Sequence, residues 1–468
     1  MKITKLLLLM ALAGSSLNQA SAQSNYPAPI APARHVGDGD GDGDVGSGDT
    51  NRYVAQISDN RPAAFKSQAS LVSDNSQLDL SMLAPSVSEY GYGSDVSYRP
   101  SGCGAGSSPL IAGCGNNQSN WWVNTDALLW FGQKRNSPAL ITTSGQGVLP
   151  LAGAAGVNTQ FGGRDGISSG LLPGYRLSGG TYIDSCQKIG VGGQVFGIFQ
   201  SSRTQSVTSD GTTSIGVPFY NDLIAAEDAY LVAFNNGNPA YAGSASVRAD
   251  LNMIGAEAST YLLLGRSQAH RVDLVTGYTF NRLKDSLELV TSSEDQLVGN
   301  GIQDGTIFTT NDLFATENVF HGGHIGMLSS VVHQRITLST LAKVSLGNMR
   351  QSAAVRGSTN QALNGASQDF SGGILTQQSN ITEFSRDAFA FIPQMNVKMG
   401  YALSNCLQMN VGYSFMYWSN VGLAGNQIDR TVDITQALGG PISNRPTFNF
   451  QESGFWMQGV DLGLTMTY

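Results

Sequence analysis

The chain has 468 residues, of which 41% are hydrophobic and only 13% charged, with a formal net charge of -8. Low charge without high hydrophobicity is unusual for a soluble protein, and the 57 glycines favour strands and turns over helices, whose interiors glycine weakens. The acidic balance argues against a nucleic-acid partner, since phosphates demand clusters of Lys and Arg that this sequence lacks.

At the N-terminus, Lys2 and Lys5 flank the start of an apolar run from Leu6 to Ala13, and Ala20-Ser21-Ala22 follows a polar stretch. That is the pattern of an export signal cleaved after Ala22, so residues 1–22 are expected to be a signal peptide. The run falls well short of the roughly 20 residues a spanning helix needs, and no cysteine follows directly to carry a lipid anchor.

Residues 23–119 read as a low-complexity, largely disordered leader rich in Gly, Ser and Asp. Within it, Asp38, Asp40, Asp42, Gly43 and Asp49 align with the ligand positions of a calcium-binding EF-hand loop. No helices flank the tract, and its last position is Asp rather than Glu, so it reads as a solvated spacer with calcium left open. Cys103 and Cys114 are candidates for a small disulfide loop in an oxidising compartment, while pairing of Cys186 with Cys406 stays open.

From residue 120 to 468 the texture changes to a period of two. Trp456, Gln458, Val460, Leu462, Leu464, Met466 and Tyr468 share one face of a strand, with Met457, Gly459, Asp461, Gly463, Thr465 and Thr467 opposite. Similar stretches are expected at 121–131, 170–183, 189–200, 245–262, 269–282, 320–332, 335–347, 389–402, 406–418 and 455–468. Most reach the roughly 9 to 11 residues a tilted strand needs to cross a membrane. The segments between them alternate strictly between short and long, which is how outer-membrane barrels are built. The expected fold is all-β: a transmembrane antiparallel barrel of about 10 strands, within a range of roughly 8 to 12, with long extracellular loops.

Aromatic residues mark the expected interfaces. Trp130, Tyr417, Trp418 and Trp456 lie at strand ends facing long loops, and Trp121, Tyr401 and Tyr468 at the opposite ends, as two girdles. Phase places Asp126, Arg176, Asp250, Asp273, Lys343, Lys398 and Asp461 inside the lumen. Charges of both signs in a narrow interior must pair or be hydrated, and a barrel of about ten strands is small enough for side chains to fill. His321 and His324 are three apart on a strand and so face opposite sides, which leaves them unable to share a metal or substrate.

Several stretches in order resemble the bacterial beta-barrel outer-membrane family numbered seven, long held as a domain of unknown function. They are Val123-Asn124-Thr125-Asp126-Ala127-Leu128-Leu129-Trp130, Gly277-Tyr278-Thr279-Phe280, Asn318 to Gly326, Lys343 to Asn348, Phe391-Ile392-Pro393, Val411 to Trp418 and Gln427-Ile428-Asp429. His324 and Thr279 stand at places where the family pattern has a glutamine-like and an arginine-like residue. The resemblance implies an outer-membrane barrel over about residues 120–468 and supplies no activity, substrate or catalytic residue.

The expected role is structural or binding, in the outer membrane of a diderm bacterium, without catalysis, cofactor or metal; the alternative is a narrow porin-like passive channel. Expected partners are outer-membrane lipid and the barrel-assembly machinery, which would engage the C-terminal strand. No nucleic acid is expected, and a surface ligand is left open.

Overall fold

The structure is a computed structural model that describes residues 121–467, apart from 297–302 and 440. The expected signal peptide, the leader with Cys103 and Cys114, and Tyr468 lie outside the described residues. Among the described residues the strands are β1 (Trp121–Gly132), β2 (Ile141–Gly145), β3 (Asn158–Phe161), β4 (Leu171–Tyr182), β5 (Ile189–Ser209), β6 (Thr213–Asn221), β7 (Ala226–Asn235) and β8 (Ala240–Arg266). They continue as β9 (His270–Asp295), β10 (Ile307–His333), β11 (Ile336–Leu363), β12 (Ala366–Ser371), β13 (Thr382–Ala402), β14 (Leu407–Gly422), β15 (Thr431–Val432) and β16 (Glu452–Thr467).

Ten of these close into an antiparallel ring in the order β1-β4-β5-β8-β9-β10-β11-β13-β14-β16, with β16 returning to β1. The ten barrel strands are the ten expected from the alternation, and the short connections fall where expected, at 183–188, 267–269, 334–335 and 403–406.

The long connections depart from expectation. Much of what reads as loop at 201–244, 283–319 and 348–388 is strand, and β11 alone runs for 28 residues. At roughly 3.3 Å per residue such a strand is about 90 Å long, several times what a crossing requires. The barrel wall therefore continues far beyond the lipid.

The reason these extensions escape a periodicity reading is visible on β9. In its first half, Leu274, Tyr278 and Phe280 face outward while Asp273 and Thr279 are buried inside. In its second half, Leu283, Leu287 and Leu289 are buried inside, and Arg282, Lys284 and Glu288 face outward. Pairing with β10 runs unbroken from His270 to Glu294, so no bulge intervenes. The strand keeps its period of two but its apolar phase inverts, because the outer surface meets lipid below and water above.

The same inversion occurs on β11, where Leu338 and Leu346 face outward below, and Met349 and Val355 are buried inside above. It also corrects the placement of Asp250. On β8 that residue shares the outward face with Arg248 and Ile254, above the lipid, where a polar side chain signals water rather than lumen.

Above the membrane, β2, β3, β6, β7 and β15 form a second small sheet, joined to β8 through Phe234 opposite Tyr241. Its apolar residues, among them Ile141, Ile215, Val217 and Val432, pack against Val247, Leu287, Phe314 and Val355 of the wall. The long connections thus fill the extracellular mouth with a hydrophobic core rather than standing off as loops.

Candidate functional site

The interior below this core is arranged in layers. In the membrane half, β1, β4, β13 and β16 bring together Asp126, Arg176, Lys398 and Asp461. Lys398 Nζ lies 2.8 and 2.9 Å from the two carboxylate oxygens of Asp126, and Arg176 Nη1 lies 3.1 Å from Asp461 Oδ2 and 3.6 Å from Asp126 Oδ2. Asn396 Nδ2 and Ser414 Oγ donate to Asp461 Oδ2 at 2.8 and 2.5 Å, and Asn124 Nδ2 donates to Asp126 Oδ2 at 2.8 Å. Gly463 makes the room: a Cβ there would stand 2.0 Å from Asp126 Oδ1.

From the other wall, Lys343 on β11 reaches Glu257 on β8, past the two intervening strands, and Gln194 Nε2 donates to the same Glu257 oxygen at 2.7 Å. Beside them, His324 bonds Thr279 Oγ1 through Nδ1 at 2.8 Å and Ser259 Oγ through Nε2 at 3.1 Å. His321 faces outward instead and meets Tyr278 Oη at 2.5 Å. Nearer the short turns, Arg271 binds Asp273 through two contacts of 2.7 Å and lies over the Tyr182 ring.

Among the residues expected in the lumen, Asp126, Arg176, Asp273, Lys343, Lys398 and Asp461 thus stand on inward faces, and Asp250 does not. Glu257 was missed because it has the opposite parity to Asp250 on the same strand. The pairing of Asp250 is with Arg248, two residues away on the outer face. Asp126 alone of the expected acids faces two of the expected cations.

The aromatic residues divide. Trp121 and Tyr401 stand exposed on the outward face at the short-turn end, and Tyr417 and Trp456 are partly exposed on the outward face at the other edge. Trp130 and Trp418 are not girdle residues: they are 2% and 0% exposed. Each shares parity with inward polar neighbours, Trp130 with Asp126 and Trp418 with Ser414. Trp130 Nε1 donates to Asp461 Oδ1 at 2.8 Å. Cys406 is disulfide-bonded.

Immediately above the polar layer lies an apolar one, to which every barrel strand contributes: Leu128, Leu172, Phe196, Met253, Leu283, Phe320, Met349, Ile392, Met416 and Met457, in strand order. Trp130, Trp418, Phe455 and Leu423 thicken it. Leu423 belongs to the segment after β14, which folds into the lumen and is pinned there. Asn318 Nδ2 donates to Gly422 O at 2.9 Å, and Gly422 N donates to Asn318 Oδ1 at 2.8 Å. Asp285 accepts from Ala424 N at 2.9 Å and forms a buried ion pair with Arg135, whose Nη1 also donates to Asp250 O at 3.1 Å. Neither Arg135 nor Asp285 stood out in the sequence.

Under the apolar layer is a polar cavity of about 240 Å³ bordered by Asn124, Arg176, Glu257, Lys343, Gln394 and Lys398. It has room for several waters beside Glu257 Oε1 and Gln394 Nε2, neither of which has a hydrogen-bond partner among the described residues.

Among solved structures, the chain is similar to the outer membrane protease OmpT from Escherichia coli, at 10% identity and a TM-score of 0.35, over 77% of this chain and 100% of that one. It is also similar to the toluene transporter TodX of P. putida, at 9% identity and a TM-score of 0.18, over 77% and 94%, and to a Pseudomonas aeruginosa FadL homologue, at 12% and 0.21, over 74% and 89%. These likenesses carry no function. No curated protein matches the sequence. Residues 122–468 match the model of the family described as beta barrel porin-7, and the chain belongs to that outer-membrane barrel family.

Proposed function

We propose that the protein is a closed barrel with a structural or ligand-binding role at the cell surface, and that it neither conducts nor catalyses. The observation that carries this reading is the apolar layer drawn from all ten strands. An ion crossing such a layer must shed its water, at an idealised cost on the order of 20 kcal/mol. A water-lined pore of the porin kind has no such layer across it. Further support comes from the second core in the mouth and from the segment held down by Asn318 and Asp285.

The reading includes an export signal at 1–22, a leader at 23–119, and recognition of β16 by the barrel-assembly machinery. A narrow passive channel is the second reading, favoured by the polar cavity and paired charges below the apolar layer. Liposomes separate the two: with the full chain reconstituted, solute-driven swelling should match that of empty vesicles. Swelling that scales with protein content favours the channel.

A further inference from the structure

A second cavity, of about 470 Å³, lies well above the lipid, among the β6–β7 hairpin, the outer ends of β8 to β11 and the segments 372–377 and 432–437. Its walls are mainly apolar, with Phe219, Phe308, Ile374 and Val432 among them. Its polar side chains are almost all engaged by the protein itself. Asp228 accepts from Asn221 Nδ2 at 2.9 Å and from Ala229 N at 2.8 Å, and Gln377 Nε2 donates to Gly373 O at 2.7 Å. Thr310 bonds Thr291 at 2.7 Å, and Thr359 donates to Gly372 O at 2.7 Å.

Two groups differ. Tyr230 and Tyr241 both line the cavity, and neither hydroxyl has a hydrogen-bond partner among the described residues or counts among the sealed buried atoms. Burial pushes the Tyr230 hydroxyl well above its ordinary value, so it stays a neutral donor at any physiological pH. An apolar cavity of a few hundred cubic ångströms with a small number of unsatisfied polar groups is the usual form of a small-molecule site.

We infer that this cavity binds a compact, uncharged, chiefly apolar molecule that carries a single hydroxyl or comparable oxygen, of the phenol or alicyclic alcohol class, with Tyr230 and Tyr241 as its polar contacts. The size admits a ring system of one or two rings. The apolar walls supply most of the affinity by excluding water, and the two hydroxyls select for an oxygen-bearing ligand. Asp228 at the wall and the buried carboxylate of Asp312 nearby weigh against an anion. The site does not depend on whether the lumen conducts, so its failure and that of the closed-barrel reading are separate results.

The test uses the full chain in lipid nanodiscs, with 4-fluorophenol and fluorobenzene followed by fluorine NMR against protein-free nanodiscs. Both probes should show a saturable component above lipid partitioning, with 4-fluorophenol the tighter. The double variant Tyr230→Phe, Tyr241→Phe should weaken 4-fluorophenol by about fivefold or more, one hydrogen bond's worth, and leave fluorobenzene within twofold. Ala229→Trp, which fills the cavity, should abolish the saturable component for both. If the double variant does not give the folded band on a gel, Tyr241→Phe alone and Ala229→Trp decide the matter. Partitioning alone in the wild type, or unchanged 4-fluorophenol binding in the tyrosine variants, overturns the inference.

Discussion

Asp250 and Glu257 stand seven residues apart on one uninterrupted strand and face opposite sides of the barrel wall. Asp250 pairs with Arg248 on the outer surface and keeps 22% of its side chain exposed; Glu257 is paired with Lys343 in the lumen and keeps 1%. Similar chemistry therefore has unlike consequences. Glu257→Leu strands Lys343 in the interior and is expected to cost about 3 to 5 kcal/mol, whereas Asp250→Asn breaks a solvated pair worth at most about 1 kcal/mol. Denaturant midpoints of the two variants in detergent check this, and equal losses would place both residues in one environment.

The two interior lysines should also differ. Lys343→Met leaves the Gln194 amide as the one protein donor to Glu257 among the described residues and is expected to cost about 3 to 5 kcal/mol. After Lys398→Met, Asp126 still has Asn124 and, at 3.6 Å, Arg176, so the loss should be nearer 1 to 3 kcal/mol, roughly that of hydrogen bonds to a charged group. The order of the two midpoints is the discriminating result, and the reverse order contradicts the pairing described here.

The strands of the membrane half were legible because lipid enforces one rule, apolar outward, over whole strands such as Met409, Val411, Tyr413 and Phe415 on β14. The extensions were not, because the rule inverts between Phe280 and Leu283 and a single-phase reading stops at the inversion. Asp250 was misassigned by carrying the lower rule across that point. Trp130 and Trp418 were misassigned by position at a strand end, although their parity with Asp126 and Ser414 was available in the sequence. The plug formed by Leu423 and the Arg135–Asp285 pair depends on contacts between distant segments, which periodicity does not encode.

On the lipid face the cost of a charge should follow depth. Leu462 lies mid-band on the outward face of β16, and Met466 lies near its end. Leu462→Lys is expected to cost about 2 to 4 kcal/mol and Met466→Lys about 0 to 1 kcal/mol. Membrane levels and heat-modifiable migration report both, and normal assembly of Leu462→Lys contradicts the band's position.

Asp312 anchors the segment after β12. Its carboxylate accepts from Ile374 N at 3.1 Å, Leu375 N at 2.9 Å and Thr376 N and Oγ1 at 2.8 and 2.6 Å, and a Cβ on Gly373 would stand 2.4 Å from its Oδ1. Asp312→Ala leaves three backbone donors unsatisfied, at about 1 kcal/mol or more each. External protease should then cut within 372–381 while the barrel stays folded. Unchanged resistance argues against the anchor.

A chain beginning near residue 118 is expected to fold, since the sequence of 23–119 lacks the apolar content to contribute a core. Absence of the folded band on a heat-modifiability gel places part of that leader in the barrel.

The closed lumen is the central claim, and single-channel recording in planar bilayers tests it most directly. The full-length wild-type protein, verified as folded before insertion, should give no reproducible conductance steps if the apolar residues from Leu128 through Met457, drawn from all ten strands, seal the lumen as proposed. Steps of uniform size that recur across preparations and scale with salt concentration would contradict it.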